Sequence, residues 1–280
     1  MHESIAPRAE RRARTRKIVR VLFLSWAVLS SLWLANTMRT RGVPEAVLQS
    51  NADVSVVNRD MTLEFVSTRG ADHDALIFFC GSGVAAEAYA PLLRPIADAG
   101  YSVFIVKLPY RFAPFESHKR AALERAAMVM QNHQNVAGWV LAGHSLGGAL
   151  AARMMNSRPK NVVGLFLIGT THPKEDDLSS LQIPVTKVFA SRDGIAPPNR
   201  VLATKHLLPP HTEWVEINGG NHSQFGYYGH QLFDGNATIS RTEQQAIVRA
   251  AIMKVLASAE ARRPDKLQSI GVLNSHRSGE

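Results

Sequence analysis

Cysteine is nearly missing from this sequence: Cys80 is the only one in 280 residues. No intramolecular disulfide can form, and no thiolate zinc site can be assembled. Cys80 closes the apolar run LIFFC and reads as a small buried hydrophobe. Acidic residues are fewer than basic ones, 23 against 32, for a formal net charge of +9. Residues 1–41 hold nine Lys/Arg and two Glu, a net +7, so the remainder of the chain is close to neutral. The body has no basic stripe with interleaved aromatics, so no nucleic-acid partner is expected. Internal repeats are also lacking. What remains is ordinary, 45% hydrophobic and 20% charged, which is enough for a sizeable core in one large domain.

The N-terminus reads as an address. Basic residues 1–17 precede an apolar segment, residues 18–38, containing IVRVLFLSWAVLSSLWLA. No convincing A-x-A cleavage site follows, and the lack of a cysteine there excludes a lipoprotein. The strictly apolar-to-small run, Val21 to Ala35, is shorter than the roughly 20 residues of a bilayer span. The whole stretch from Ile18 to Met38 reaches if Arg20 snorkels toward the headgroups. A signal anchor is the expectation, with secretion after cleavage as the alternative. The excess of Arg and Lys before the segment places the N-terminus in the cytoplasm and the body outside it, in a bacterial periplasm or at the cell surface.

Residues 39–60 read as a linker, 61–260 as the folded domain and 261–280 as a polar, flexible tail. Within the domain, strand candidates TLEFVST (62–68), ALIFFCG (75–81), SVFIVKL (102–108), GWVLAGH (138–144), VVGLFLIGT (162–170), VTKVFAS (185–191) and EWVEING (213–219) alternate with helical segments. Several are apolar nearly throughout, as in parallel strands covered on both faces. Ser240 followed by Glu243 forms a capping box before the last helix. This alternation predicts an α/β class with a doubly wound, mostly parallel sheet.

The stretch AGHSLGGAL (142–150) lies where a buried strand gives way to a helix. Gly143 and Gly147 flank Ser145 in a Gly-x-Ser-x-Gly elbow, whose small residues let the turn be sharp and the serine exposed. The following helix directs its N-terminus at that serine, favouring a developing oxyanion. A serine hydroxyl needs a base, and the base needs an orienting acid. Asp193 follows VTKVFAS and His222 follows EWVEING, so acid and base appear in the required order after successive strands. His144 reads as structural, its side chain pointing away from the serine. His118, His133, His172, His206 and His211 read as surface residues, and Asp176 and Asp177 lie too far past their strand to be the acid. The amide of Leu146 is one oxyanion donor. The CGSG loop offers the second, from Ser82 or its neighbour Gly83.

On these pieces the chain resembles the α/β-hydrolase superfamily, and more narrowly a small bacterial subgroup without a large cap domain, similar in size to dienelactone hydrolases. The likeness runs over about residues 62–258 through GSGVAAEAYAPL, GYSVFIVKLP, GHSLGG, SRDGIAPP, GGNHSQFGYYG and DGNATISRTEQQ. It implies Ser145 as nucleophile, Asp193 as acid and His222 as base. One departure is the first loop, where the subgroup pattern resembles Pro-Gly-Gly and this chain has Cys80-Gly81-Ser82. Dienelactone hydrolases use a cysteine nucleophile, so their substrate does not carry over.

The expected activity is esterase-like hydrolysis of a small-molecule ester through an acyl-serine, with no metal and no cofactor. Amide or thioester cleavage and acyl transfer to an alcohol are alternatives on the same triad. A non-catalytic, membrane-tethered binding protein is the alternative of a different class. The short segment between Thr170 and Val185 leaves the site uncapped. Phe112, Phe115, Phe225, Tyr227 and Tyr228 are candidates for an apolar acyl pocket, at least half of them destined for the core.

Overall fold

The computed structural model of the chain describes residues 6–69 and 73–262. From residue 263 on, the expected tail lies outside the described residues. Eight strands form one sheet: β1 (Val54–Asn58), β2 (Thr62–Ser67), β3 (Ala75–Phe79), β4 (Val103–Val106), β5 (Trp139–His144), β6 (Val162–Ile168), β7 (Val185–Ala190) and β8 (Glu213–Ile217). Their spatial order is β1-β2-β4-β3-β5-β6-β7-β8. The pairs β1/β2 and β2/β4 are antiparallel and all others parallel. All seven strands expected from sequence are present, each within a few residues of its expected ends. The first strand, β1, lies in the stretch read as a linker. It is an edge strand buried only at Val54, so its sequence carries no continuous apolar run.

Strands β3, β4, β5 and β7 are buried at every residue because helices cover both faces of the parallel part. The flanking helices are α2 (Ala90–Asp98), α3 (Glu116–Asn132), α4 (Leu146–Asn156) and α6 (Arg241–Ala261), with α2 packed on α6 and α3 on α4. The short α5 (Pro198–Leu202) follows β7. The capping box forms as expected: Glu243 N–H donates to Ser240 Oγ, and Ser240 N–H donates to Glu243 Oε2. The β6–β7 connection contains no helix, and no large cap covers the sheet.

Chain order reverses at β3, with β4 on one side and β5 on the other. In open α/β sheets, the crevice beyond the carboxyl ends of such strands is where ligands bind. The CGSG loop leaves β3 and the serine elbow leaves β5 at this point.

One helix stands apart. α1 (Ala6–Thr37) runs unbroken for 32 residues, and from Glu10 to Thr37 it is long and apolar enough to cross a membrane, with none of its apolar window buried in the protein. Its end is strapped to the domain. Gly229 N–H donates to Thr37 O at 2.8 Å, Arg41 N–H donates to Tyr227 O at 2.9 Å, and Thr40 bridges to Tyr228.

Candidate active site

Ser145 joins β5 to α4 with φ 56° and ψ −118°, a left-handed backbone that costs a non-glycine residue on the order of 1–3 kcal/mol. Close packing around it imposes this geometry. A Cβ on Gly143 would land on the backbone of Gly147, and one on Gly147 would land on Phe79 O and lie 2.6 Å from Cys80 O. Only hydrogen fits at either position. The elbow is therefore clamped between its own helix and the end of β3. Ser145 is half-buried, and its N–H is fixed on Ile168 O at 2.9 Å.

Asp193 and His222 come from separate loops and meet. The Nδ1–H of His222 donates to Asp193 Oδ2 at 2.8 Å, with both side chains essentially sealed from solvent. Asp193 Oδ1 accepts from the N–H groups of Ile195 (2.8 Å) and Ala196 (2.6 Å). Both oxygens of the carboxylate are thus engaged, and its orientation is set largely by backbone. Nε2 of His222 is buried without a hydrogen-bond partner. With the proton on Nδ1, that nitrogen carries an unused lone pair. No hydrogen bond joins it to Ser145 in this structure. Such contacts are commonly long before substrate is bound.

Three residues that sequence reasoning did not single out brace the site, two of them at this pair and one beneath it. Asp234 accepts at Oδ1 from Gly194 N–H and His222 N–H, both at 3.2 Å, and at Oδ2 from the N–H and hydroxyl of Ser223. It ties the Asp193 loop to the His222 loop. Gln244 of α6, fully buried, donates to Asn221 O at 2.7 Å and accepts Asn221 N–H at 3.0 Å. Tyr89 bonds through its hydroxyl to Gly81 N–H (3.0 Å) and to His144 Nδ1 (2.9 Å). The glutamine had a visible signal, a polar residue on the apolar face of a capped helix. The other two had none.

His144 is built into the site's floor. Its buried ring lies 4.5 Å, centroid to centroid, from that of His222 and 5.2 Å from Phe225. Burial first, and the neighbouring His222 second, hold it well below the usual histidine range, so it stays neutral beneath His222. Phe225 and Tyr228 are core residues rather than pocket lining, Tyr227 is half-buried, and Phe112 and Phe115 are exposed. His206 and His211 are at the surface as expected. His118, His133 and His172 are instead half-buried, His133 because it packs on Phe104 and His118 because it packs between Tyr110 and Phe115. Asp176 and Asp177 bond to Asn156 and Ser179 and play no part at His222.

The CGSG loop has one uncommitted amide. Gly81 N–H goes to Tyr89, Gly83 N–H to Arg111 O at 2.9 Å, and Val84 N–H back to Gly81 O. The Ser82 N–H has no acceptor among the described residues. Leu146, the first residue of α4, likewise has an N–H with no intrahelical acceptor. Among the described residues no three His, Cys, Asp or Glu side chains converge on a metal-sized site.

No protein of curated function matches the sequence. Solved structures do. A membrane phospholipase A described as a bacterial virulence factor superposes with a TM-score of 0.56 at 14% identity, covering 86% of this chain and 99% of its own. Est1E from Butyrivibrio proteoclasticus gives 0.52 at 12%, over 74% of this chain and 100% of its own. An Agrobacterium tumefaciens protein of unknown function gives 0.56 at 13%, over 73% and 97%. At these identities the likeness is one of fold. The profile of the alpha/beta hydrolase family matches residues 75–246, the span that carries the elbow, Asp193, His222 and the CGSG loop, and the chain belongs to that family.

Proposed function

We propose that this hydrolase is a membrane-anchored serine esterase acting through an acyl-enzyme. Ser145 Oγ attacks the ester carbonyl while His222 Nε2 takes its proton, and Asp193 holds the imidazole tautomer and stabilises the cation. The N–H groups of Leu146 and Ser82 donate to the oxyanion as it forms. His222 returns the proton to the leaving alcohol, and a water activated by the same nitrogen releases the acid. The observation that carries this reading is the buried His222–Asp193 pair at 2.8 Å with an unpartnered Nε2. The uncommitted Ser82 amide favours Ser82 over Gly83 as the second donor. A structural neighbour named as a phospholipase A supports an ester as the bond cleaved.

The apolar exterior of α1 supports anchoring, and the basic residues before it favour a cytoplasmic N-terminus with the domain on the other side. A fluorophosphonate probe tests the chemistry: it labels wild type and not Ser145→Ala, and equal labelling of the two would refute the nucleophile. p-Nitrophenyl esters of increasing chain length, set against amide analogues, test the bond. An alkaline wash of membranes tests the anchor, since a cleaved or soluble protein is released.

A further inference from the structure

The membrane helix and the mouth of the site share the same few loops. Ile18 to Met38 spans about 31 Å as a helix, the thickness of a bilayer's hydrocarbon core, about 30 Å. With α1 as the proposed span, Met38 falls at the lipid–water boundary. A Cβ on Gly83 would meet Met38 at 3.3 Å and Phe112 at 2.8 Å, so both side chains sit directly on the CGSG loop. The strap from Thr37 to Arg41 is bonded to residues 227–229, a few positions beyond His222. No flexible tether separates anchor from site.

The rim around this point is apolar and uncovered. Tyr110 and Phe115, on the loop that carries Phe112, are 79% and 65% exposed, and Phe233 is 82% exposed. The carbonyl of Phe233 lies against Gly194, next to Asp193, so the backbone that carries this exposed ring borders the Asp193 loop. Exposed aromatic rings of this size are costly in water, and at a lipid headgroup layer they are favourable. Arg39, Arg41 and Arg111 are exposed beside them, placed for anionic headgroups. On the far side of Leu146 a groove of about 1000 Å³ runs between α3 and α4, with Lys119, Arg153, Glu116 and Glu175 on its walls. Its charged lining suits a polar leaving group rather than an acyl chain.

We propose that the catalytic mouth opens onto the bilayer that holds α1, and that the substrate is an acyl ester of a membrane lipid drawn from the adjacent leaflet. This rests on the serine-esterase and anchor readings above. Hydrolysis transfers the lipid's acyl group to Ser145 Oγ, releases the headgroup-bearing alcohol with the proton from His222, and then frees the fatty acid by water.

The test uses the full chain in phosphatidylethanolamine/phosphatidylglycerol proteoliposomes. A bimane label on Phe233→Cys should be quenched by bromine-bearing acyl chains, and one on Lys160→Cys, just before the amino end of β6 and so at the opposite end of the strands from the site, should not. Cys80 is buried and leaves the label specific. In Phe233→Ser and Tyr110→Ser, the ratio of vesicle-lipid turnover to p-nitrophenyl butyrate turnover should fall at least tenfold. An unquenched label at 233 in membrane-bound protein overturns the orientation. Quenching with butyrate cleavage but no lipid cleavage overturns the substrate. Loss of both cleavages and of fluorophosphonate labelling refutes the esterase reading itself, and release by alkaline wash refutes the anchor.

Discussion

Replacing Asp193 by asparagine isolates the tautomer as a cause of rate. Oδ1 of Asp193 accepts two backbone N–H groups, from Ile195 and Ala196, so an asparagine must keep its carbonyl oxygen there. Its NH2 then faces His222 Nδ1 and can only donate. The imidazole is forced to carry its proton on Nε2, where it cannot take one from Ser145. The isosteric change leaves packing intact while removing the base, and a loss of about 10⁴ in kcat is expected, about 5 kcal/mol of transition-state stabilisation. The assay is p-nitrophenyl butyrate hydrolysis, with fluorophosphonate labelling falling in parallel and the melting temperature within a few degrees of wild type. A variant within tenfold of wild type would refute the assignment of Asp193. If Asp234→Asn then abolished activity without loss of folding, the acid would have to be moved there.

Gly147→Ala drives a methyl group into Phe79 O and Cys80 O. Overpacking of backbone against backbone should cost at least about 3 kcal/mol, read as a lowered denaturant midpoint; an unchanged midpoint would mean that α4 need not approach β3. Tyr89→Phe strands Gly81 N–H and His144 Nδ1 in the interior, an expected loss of about 2–3 kcal/mol with a reduced kcat through the CGSG loop. Wild-type stability would contradict it. Lys187 is fully buried, and burial lowers its amine from 10.5 to about 7. The unfolded chain holds that proton up to its higher ordinary value, so folding stability from this group is complete above 10.5 and falls as pH drops toward 7. Relative to Lys187→Met, wild type should gain about 2 kcal/mol from pH 7 to 9, and a difference that does not change with pH would show the amine to be charged when folded.

How legible the molecule is in its sequence depends on where each residue's partners lie. The buried parallel strands announce themselves as apolar runs because both their faces are covered. β1 pairs along one side only and is buried only at Val54, so nothing distinguishes it from a polar linker. The elbow is readable because Gly143 and Gly147 are needed within four residues of each other. Asp193 and His222 are readable because the topology puts strand ends in one row. Asp234 and Tyr89 are not, since each acts through bonds to a loop distant in sequence, and a lone Asp or Tyr carries no sign of that. Of the exposed aromatics, only Phe112 and Phe115 were expected beside the site; Tyr110 and Phe233 were not, and they stand at positions of positive φ, which sequence does not display.

The two halves of the candidate site are held by different kinds of structure. Ser145 is clamped between a buried strand and its helix, whereas Asp193 and His222 ride on loops cross-tied by polar bonds, through Asp234, Arg192 N–H to Gly220 O and Gly219 N–H to Ser191 Oγ. Local opening starts where buried apolar contacts are fewest, so warming should part the acid–base pair while the sheet is still intact. Thermal inactivation would then precede loss of the circular dichroism signal. In that interval the protein would hold a correctly placed but unactivated serine, and cooling would restore turnover without any refolding of the core.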